Sequence, residues 1–199
     1  MILGDSIAYG IGALRHEDSL GPRLAAGLTA EGFPVELTVV AVPGAESAHL
    51  PAQVRRATGL RPDLAVLVVG ANDLARFVPP ARACGFLTEA VAALREAGAE
   101  VVVVPAPDMS AVPWVPEAFR AVVSAASGLL QRAQADAAAA AGARVAHVSQ
   151  AIADAFSADP RLFAADRFHP SSAGYARIAE VLAPAVLAAA RDRRDGAAA

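Results

Sequence analysis

The chain has 199 residues, 55% of them hydrophobic, with 15 Gly, 14 Pro and a formal net charge of -3, which predicts one globular domain over residues 1–199 with a sizeable core. All 17 basic residues are Arg and form no dense run, so the sequence carries no footprint for nucleic acid, and without Lys neither a Schiff-base enzyme nor a P-loop can work in its usual form. Cys84 is the lone cysteine, which excludes an intrachain disulfide and a cysteine-based zinc site.

Met1-Ile2-Leu3 predicts a first strand of only three residues, followed by Gly4-Asp5-Ser6. Helical patterning over 20–31 leads to an apolar run at 35–42, a second strand that ends in Pro43-Gly44. A helix over 47–58 precedes a third strand at 64–69 and the turn Gly70-Ala71-Asn72-Asp73. A helix over 82–97 precedes a fourth strand at 101–104 and a Pro-rich stretch over 105–116. The Ala-rich helix over 117–141, closed by Gly142, leads to a fifth strand at 145–148. The last helix, 172–191, contains Pro184, which predicts a kink or a break, and 191–199 reads as a frayed, flexible tail.

Near-continuous apolar strands are strands buried on both faces, and their alternation with helices predicts an α/β fold, a three-layer α/β/α sandwich on a parallel sheet. No basic stretch with an apolar run behind it opens the chain, and no run of about 18 apolar residues is free of charge and Pro. These features predict a soluble, cytoplasmic protein without stable membrane insertion. The oligomeric state is not legible.

Ligands of open parallel sheets sit beyond the carboxyl ends of the strands, and the small and polar residues gather there. A serine hydroxyl becomes a useful nucleophile when a base takes its proton, a third group orients the base, and fixed donors receive the developing oxyanion. Ser6 follows the first strand on a tight turn. Asp166 and His169, three residues apart, let the carboxylate hold one ring nitrogen while the other faces Ser6. The Ser6 N–H, the Gly44 N–H and the Asn72 amide are neutral donors at three strand ends.

Gly4-Asp5-Ser6, Gly44, Gly70-x-Asn72-Asp73 and Asp166-x-x-His169-Pro170 together resemble the four blocks of the SGNH (GDSL-type) hydrolases, in family order and over nearly the whole chain. Ile7 stands where the family name has Leu. The resemblance implies a flavodoxin-like sandwich of about five parallel strands, a triad of Ser6, Asp166 and His169, and an oxyanion hole of Ser6, Gly44 and Asn72. It implies a hydrolase of carboxylic esters of small or medium acyl groups. Acyl transfer, thioester cleavage and carbohydrate deacetylation are open to the same triad, and a binding module without turnover is the reading from another class.

A small-molecule ester is the expected partner, with no cofactor and no metal. Asp5 and Asp73 are expected to brace turns, and His16, His49 and His147 to have surface or packing roles. Arg76, Phe77, Met109, Trp114 and Phe119 are the large side chains expected to contact substrate. A first strand shorter than the family's usual run predicts a loosened turn beneath Ser6. A G-x-S-x-G elbow is absent, against the unrelated α/β-hydrolase fold.

Overall fold

The computed structural model describes residues 1–146 and 150–197. Strands β1 (Ile2–Gly4), β2 (Leu64–Val68), β3 (Glu100–Val104) and β4 (Arg144–Val145) form a parallel sheet in that order. Ile2, Val66, Val68, Val102 and Val104 face one core, and Leu3, Ala65, Leu67, Val101 and Val103 face the other. This alternation is the period-2 geometry of a strand, and with apolar residues at both phases it requires cover on both sides. Helices α2 (Leu20–Ala30) and α8 (Ser172–Ala197) cover the first face. Helices α3 (Leu50–Thr58), α5 (Pro80–Glu96) and α6 (Glu117–Ala140) cover the second. The short helices α1 (Ser6–Tyr9) and α4 (Ala71–Ala75) follow β1 and β2 directly, and α7 (Gln150–Ala158) follows β4.

Four departures from the sequence reading have local causes. The 35–42 run is not a regular strand: it lies beside β1 and meets it in one bridge, Ile2 to Val39, with three backbone hydrogen bonds of 2.9–3.0 Å around it. Because β1 is three residues long, the earlier half of that run has nothing to pair with. The strand expected at 145–148 begins one residue earlier, and residues 147 and 148 lie outside the described residues, as does His147. Pro184 does not divide α8, whose Leu182 and Val186 on either side are buried against the sheet. Nor is 191–197 frayed. Helix α8 continues through it, tied by Arg193 to Asp63 (2.9 Å) and by Arg191 to Glu31 (3.4 Å).

By length and composition α8 could cross a bilayer, with a mean hydropathy of 1.3 over its most apolar stretch. Its inner face packs Tyr175, Ala179, Leu182, Val186 and Ala189 onto the sheet, and a third of that stretch is buried.

Buried polar groups fix the strand ends. Gln53 stands among Leu50, Val54 and Ala57 on the buried face of α3, accepts from the Gly4 N–H (2.7 Å) and donates to the Gly4 carbonyl (2.9 Å). Gln134 of α6 does the same between strands, accepting from Ala106 N–H (2.8 Å) and donating to the Val69 carbonyl (3.2 Å). The short first strand is therefore laddered on both edges and held by a side chain from below. Asp5 caps α1 by accepting from the Ile7 N–H (2.9 Å), and Asp73 accepts from the Ser47 N–H and hydroxyl, each at 3.1 Å. Burial raises both carboxyl groups, Asp5 to about 7, with the cap bonds from Ile7 and Ala8 opposing it.

Gln53→Ala leaves the buried Gly4 N–H without its acceptor, while the Gly4 carbonyl keeps the Val42 N–H, and should cost about 1–3 kcal/mol in urea unfolding. For Asp5 the folded state holds the proton up to about 7 while the ordinary value is 3.8. Its contribution to stability is thus favourable at low pH and is lost as pH rises through that window. Asp5→Asn, which keeps an acceptor for the cap, should raise Tm most at about pH 8, with the gain vanishing towards about pH 4. Thermal melts across that range check it, and a gain that grows on acidification contradicts it.

Candidate active site

The site lies beyond the carboxyl ends of β1 and β2. Gly4 has φ +131°, and a Cβ there would sit 1.8 Å from the Val68 carbonyl oxygen, so only glycine permits the chain to leave β1 against β2 in this way. Directly after it Asp5 caps α1, which places Ser6 at the first helical position, 7% exposed. Among the described residues neither the Ser6 N–H nor the Gly44 N–H has an acceptor.

His169 reaches Ser6 from the other end of the chain. Its Nε2 lies 2.9 Å from Ser6 Oγ and its Nδ1 lies 2.6 Å from Asp166 Oδ2. The other Asp166 oxygen accepts from the Phe168 N–H (2.9 Å) and the His169 N–H (3.0 Å). Partial burial of Asp166 pushes its carboxyl up. The His169 ring and those two N–H groups outweigh it and hold the carboxyl below its ordinary value, so it stays a charged acceptor. With a carboxylate on Nδ1, that nitrogen carries the proton and Nε2 is left to accept from Ser6.

The loop that carries this pair is closed on itself. The Ala164 N–H donates to the His169 carbonyl (2.8 Å), the Ser171 N–H to the Leu162 carbonyl (2.8 Å), and Arg167 takes φ +57° at its tip. The Phe168 ring meets the His169 ring edge-on with centroids 4.8 Å apart. Behind it Tyr175 of α8, fully buried, donates to the Ile11 carbonyl (2.7 Å), and Ser172 Oγ accepts from the Leu14 N–H (3.0 Å). These bonds dock the start of α8 against the segment after α1, which ties the base to the element that carries the hydroxyl. Burial, with Asp5 and Asp166 nearby, raises the Tyr175 phenol and keeps it a donor.

Gly44, at φ +79°, is the third residue of a turn closed by the Ala45 N–H on the Val42 carbonyl (3.1 Å), with Pro43 before it. Asn72 spends one amide hydrogen on the Ala45 carbonyl (3.0 Å), so the side chain that carries its second N–H is anchored to the same turn. Arg76 donates to the Gly44 carbonyl (3.3 Å) and pairs with Glu46. The Glu46 N–H donates to His49 Nδ1 (3.0 Å), so the exposed His49 closes the turn there.

A cavity of about 320 Å³ opens at Ser6 and His169. Of the five side chains expected at the substrate, Met109 lines it; Arg76, Phe77, Trp114 and Phe119 do not. Arg76 is spent on the Gly44 turn. Phe77 is 91% exposed on a residue with φ +55°, and Phe119 projects to solvent from the first turn of α6. Trp114, 56% exposed, stacks on the cavity-lining Phe168 with centroids 5.7 Å apart but is not itself in the lining. Among the described residues no group of three or more His, Cys, Asp or Glu is placed to hold a metal. Sequence reasoning missed Gln53, Gln134 and Tyr175. The two glutamines were signalled by a polar residue inside an apolar helical stripe.

Residues 2–177 match the GDSL-like lipase/acylhydrolase family. The chain is 36% identical over 199 residues to a GDSL-like esterase of Mycobacterium tuberculosis; the match takes in 98% of this chain, which spans 63% of the relative's length. Among solved structures, an acetylxylan esterase from Geobacillus stearothermophilus superposes with a TM-score of 0.75 at 16% identity, covering 93% of this chain and 92% of that one. A psychrotrophic esterase from a Pseudoalteromonas species superposes with a TM-score of 0.72 at 19% identity, covering 93% and 94%. At such identities these likenesses speak for the fold, an SGNH-type α/β sandwich, while the family match rests on the sequence itself. The chain belongs to the GDSL-like lipase/acylhydrolase family.

Proposed function

We propose that this protein hydrolyses carboxylic esters of small or medium acyl groups through an acyl-enzyme on Ser6. The observation that carries the reading is the continuous relay of 2.6 Å and 2.9 Å from Asp166 through His169 to Ser6 Oγ. In the first step Oγ bonds to the ester carbonyl carbon as His169 Nε2 takes the hydroxyl proton. The carbonyl electrons move onto oxygen, and Asp166 steadies the imidazolium. Collapse of that intermediate breaks the bond to the leaving alcohol, which receives the proton from Nε2. Water then repeats the sequence, giving its proton to Nε2, and the acid leaves as Ser6 recovers its hydrogen.

The oxyanion would be received by the Ser6 N–H, the Gly44 N–H and the second N–H of Asn72. The two backbone donors have no other acceptor among the described residues, and the Gly44 turn is anchored by Asn72 and Arg76, so little reorganisation is needed as charge develops.

Ser6→Ala and His169→Ala should each remove nearly all turnover of an activated short-chain ester with the fold kept, and the double variant should lose little more than either alone. Asn72→Ala should lower kcat by about 10²–10³. Stopped-flow product bursts and a mass increase on Ser6 read the intermediate directly. Folded protein showing neither, across several acyl lengths, overturns the reading.

A further inference from the structure

We infer that Gln53 is a positioning residue for the ester chemistry, its buried amide setting the spacing between the two backbone donors of the oxyanion hole, the Ser6 N–H and the Gly44 N–H. The inference rests on the esterase reading and adds to it a residue outside the triad and the hole.

Strand β1 turns the backbone groups of Ile2 and Gly4 towards the 38–42 run. The Ile2 N–H donates to the Thr38 carbonyl (2.9 Å), the Val40 N–H to the Ile2 carbonyl (2.9 Å) and the Val42 N–H to the Gly4 carbonyl (3.0 Å). In an evenly spaced parallel ladder the rung between the last two is the Gly4 N–H on the Val40 carbonyl. Gln53 takes that rung instead. Its Oε1 accepts from the Gly4 N–H at 2.7 Å and its Nε2 donates to the Gly4 carbonyl at 2.9 Å. An amide from α3, 2% exposed, therefore stands where the two segments would otherwise pair.

The Gly4 carbonyl thus accepts from Val42 and from Gln53 together. Ser6 lies two residues beyond Gly4, and Gly44 lies two residues beyond Val42. Both backbone donors of the hole diverge from this one hydrogen-bonded point, so the way it is held fixes their separation. The third donor is tied to the same helix. The single helical turn Ser47–His49 runs directly into α3, and its Ser47 N–H and hydroxyl both donate to Asp73, the neighbour of Asn72. Helix α3 is in this way a common frame for all three donors, and Gln53 is its contact with the nucleophile strand. Oxyanion donors are effective only within a narrow range of distance from the developing charge, so a shift in that spacing weakens them without touching the triad.

The test compares full-chain variants in two ways: by labelling of Ser6 with a nitrophenyl phosphonate, whose phosphoryl oxygen would enter the hole as nitrophenolate leaves, and by stopped-flow acylation with an activated short-chain ester. Gln53→Met, close in size and without either bond, should be labelled to the wild-type extent but about tenfold to a hundredfold more slowly. Its saturating acylation rate should fall by the same factor, with half-saturation moved by less than about threefold. Leu94→Ala, which opens a cavity in the core beneath α5, should keep the wild-type rate per labelled site. Gln53→Glu can make both bonds only as the neutral acid. Its acylation rate relative to the wild type should exceed that of Gln53→Met at about pH 6 and fall towards it by about pH 9, a ratio in which the shared ionisations of His169 and Asp5 cancel. Labelling of Gln53→Met at the wild-type rate, or a loss confined to the fraction of molecules labelled, overturns the positioning role. So does a Gln53→Glu ratio that is flat with pH, which decides the matter even if Gln53→Met does not fold. Wild-type protein that neither turns over esters nor takes the label overturns the esterase reading itself.

Discussion

Everything at the site hangs from the backbone of Gly4. This residue ends a three-residue strand, yet both of its polar groups are held by the single amide of Gln53, and its missing side chain lets the chain pass against the Val68 carbonyl. A strand that short cannot be kept in place by its own ladder. The clamp supplies what length does not, and Asp5 and Ser6, the next two residues, inherit a fixed starting point from it. Gln134 performs the matching service between Val69 and Ala106 at the ends of the next two strands. The carboxyl edge of the sheet is thus built from side-chain amides as much as from strand pairing.

Such amides are neutral, and that has a bearing on the chemistry above them. Of the buried carboxyl groups nearby, burial raises Asp5 to about 7 and moves Asp73 in the same direction. Asp166, placed on the far side of the imidazole from Ser6, is held below its ordinary value. A charged carboxylate is thereby placed where it would steady an imidazolium.

Much of the fold was legible because strands buried on both faces read as apolar runs, and the helices between them as stripes of Ala and Leu. Differences fell where pairing partners matter: the 35–42 run fails as a regular strand because β1 is too short to receive it, and 191–197 is helical, with Arg191 and Arg193 reaching Glu31 and Asp63 across the fold. Ser6, Gly44, Asn72, Asp166 and His169 could be named from spacing at strand ends, and the structure brings them to one edge. The cavity could not. Its walls come from α1, α6, α7 and α8, and side-chain size alone drew attention to Phe77 and Trp114, of which the first faces solvent and the second stacks on Phe168. Residues that hold others in place, Gln53 and Tyr175 above all, leave only the faint signal of a polar group on an apolar face.

The bond between His169 and Ser6 joins residues 163 positions apart. During synthesis the N-terminal part emerges first, with β1 still lacking β2 beside it and Ser6 an ordinary surface hydroxyl. Ser6 and His169 meet only once Asp166 and His169 have been made and α8 has docked through Tyr175 onto Ile11. Docking of α8 onto the segment after α1 and assembly of the relay are therefore one event.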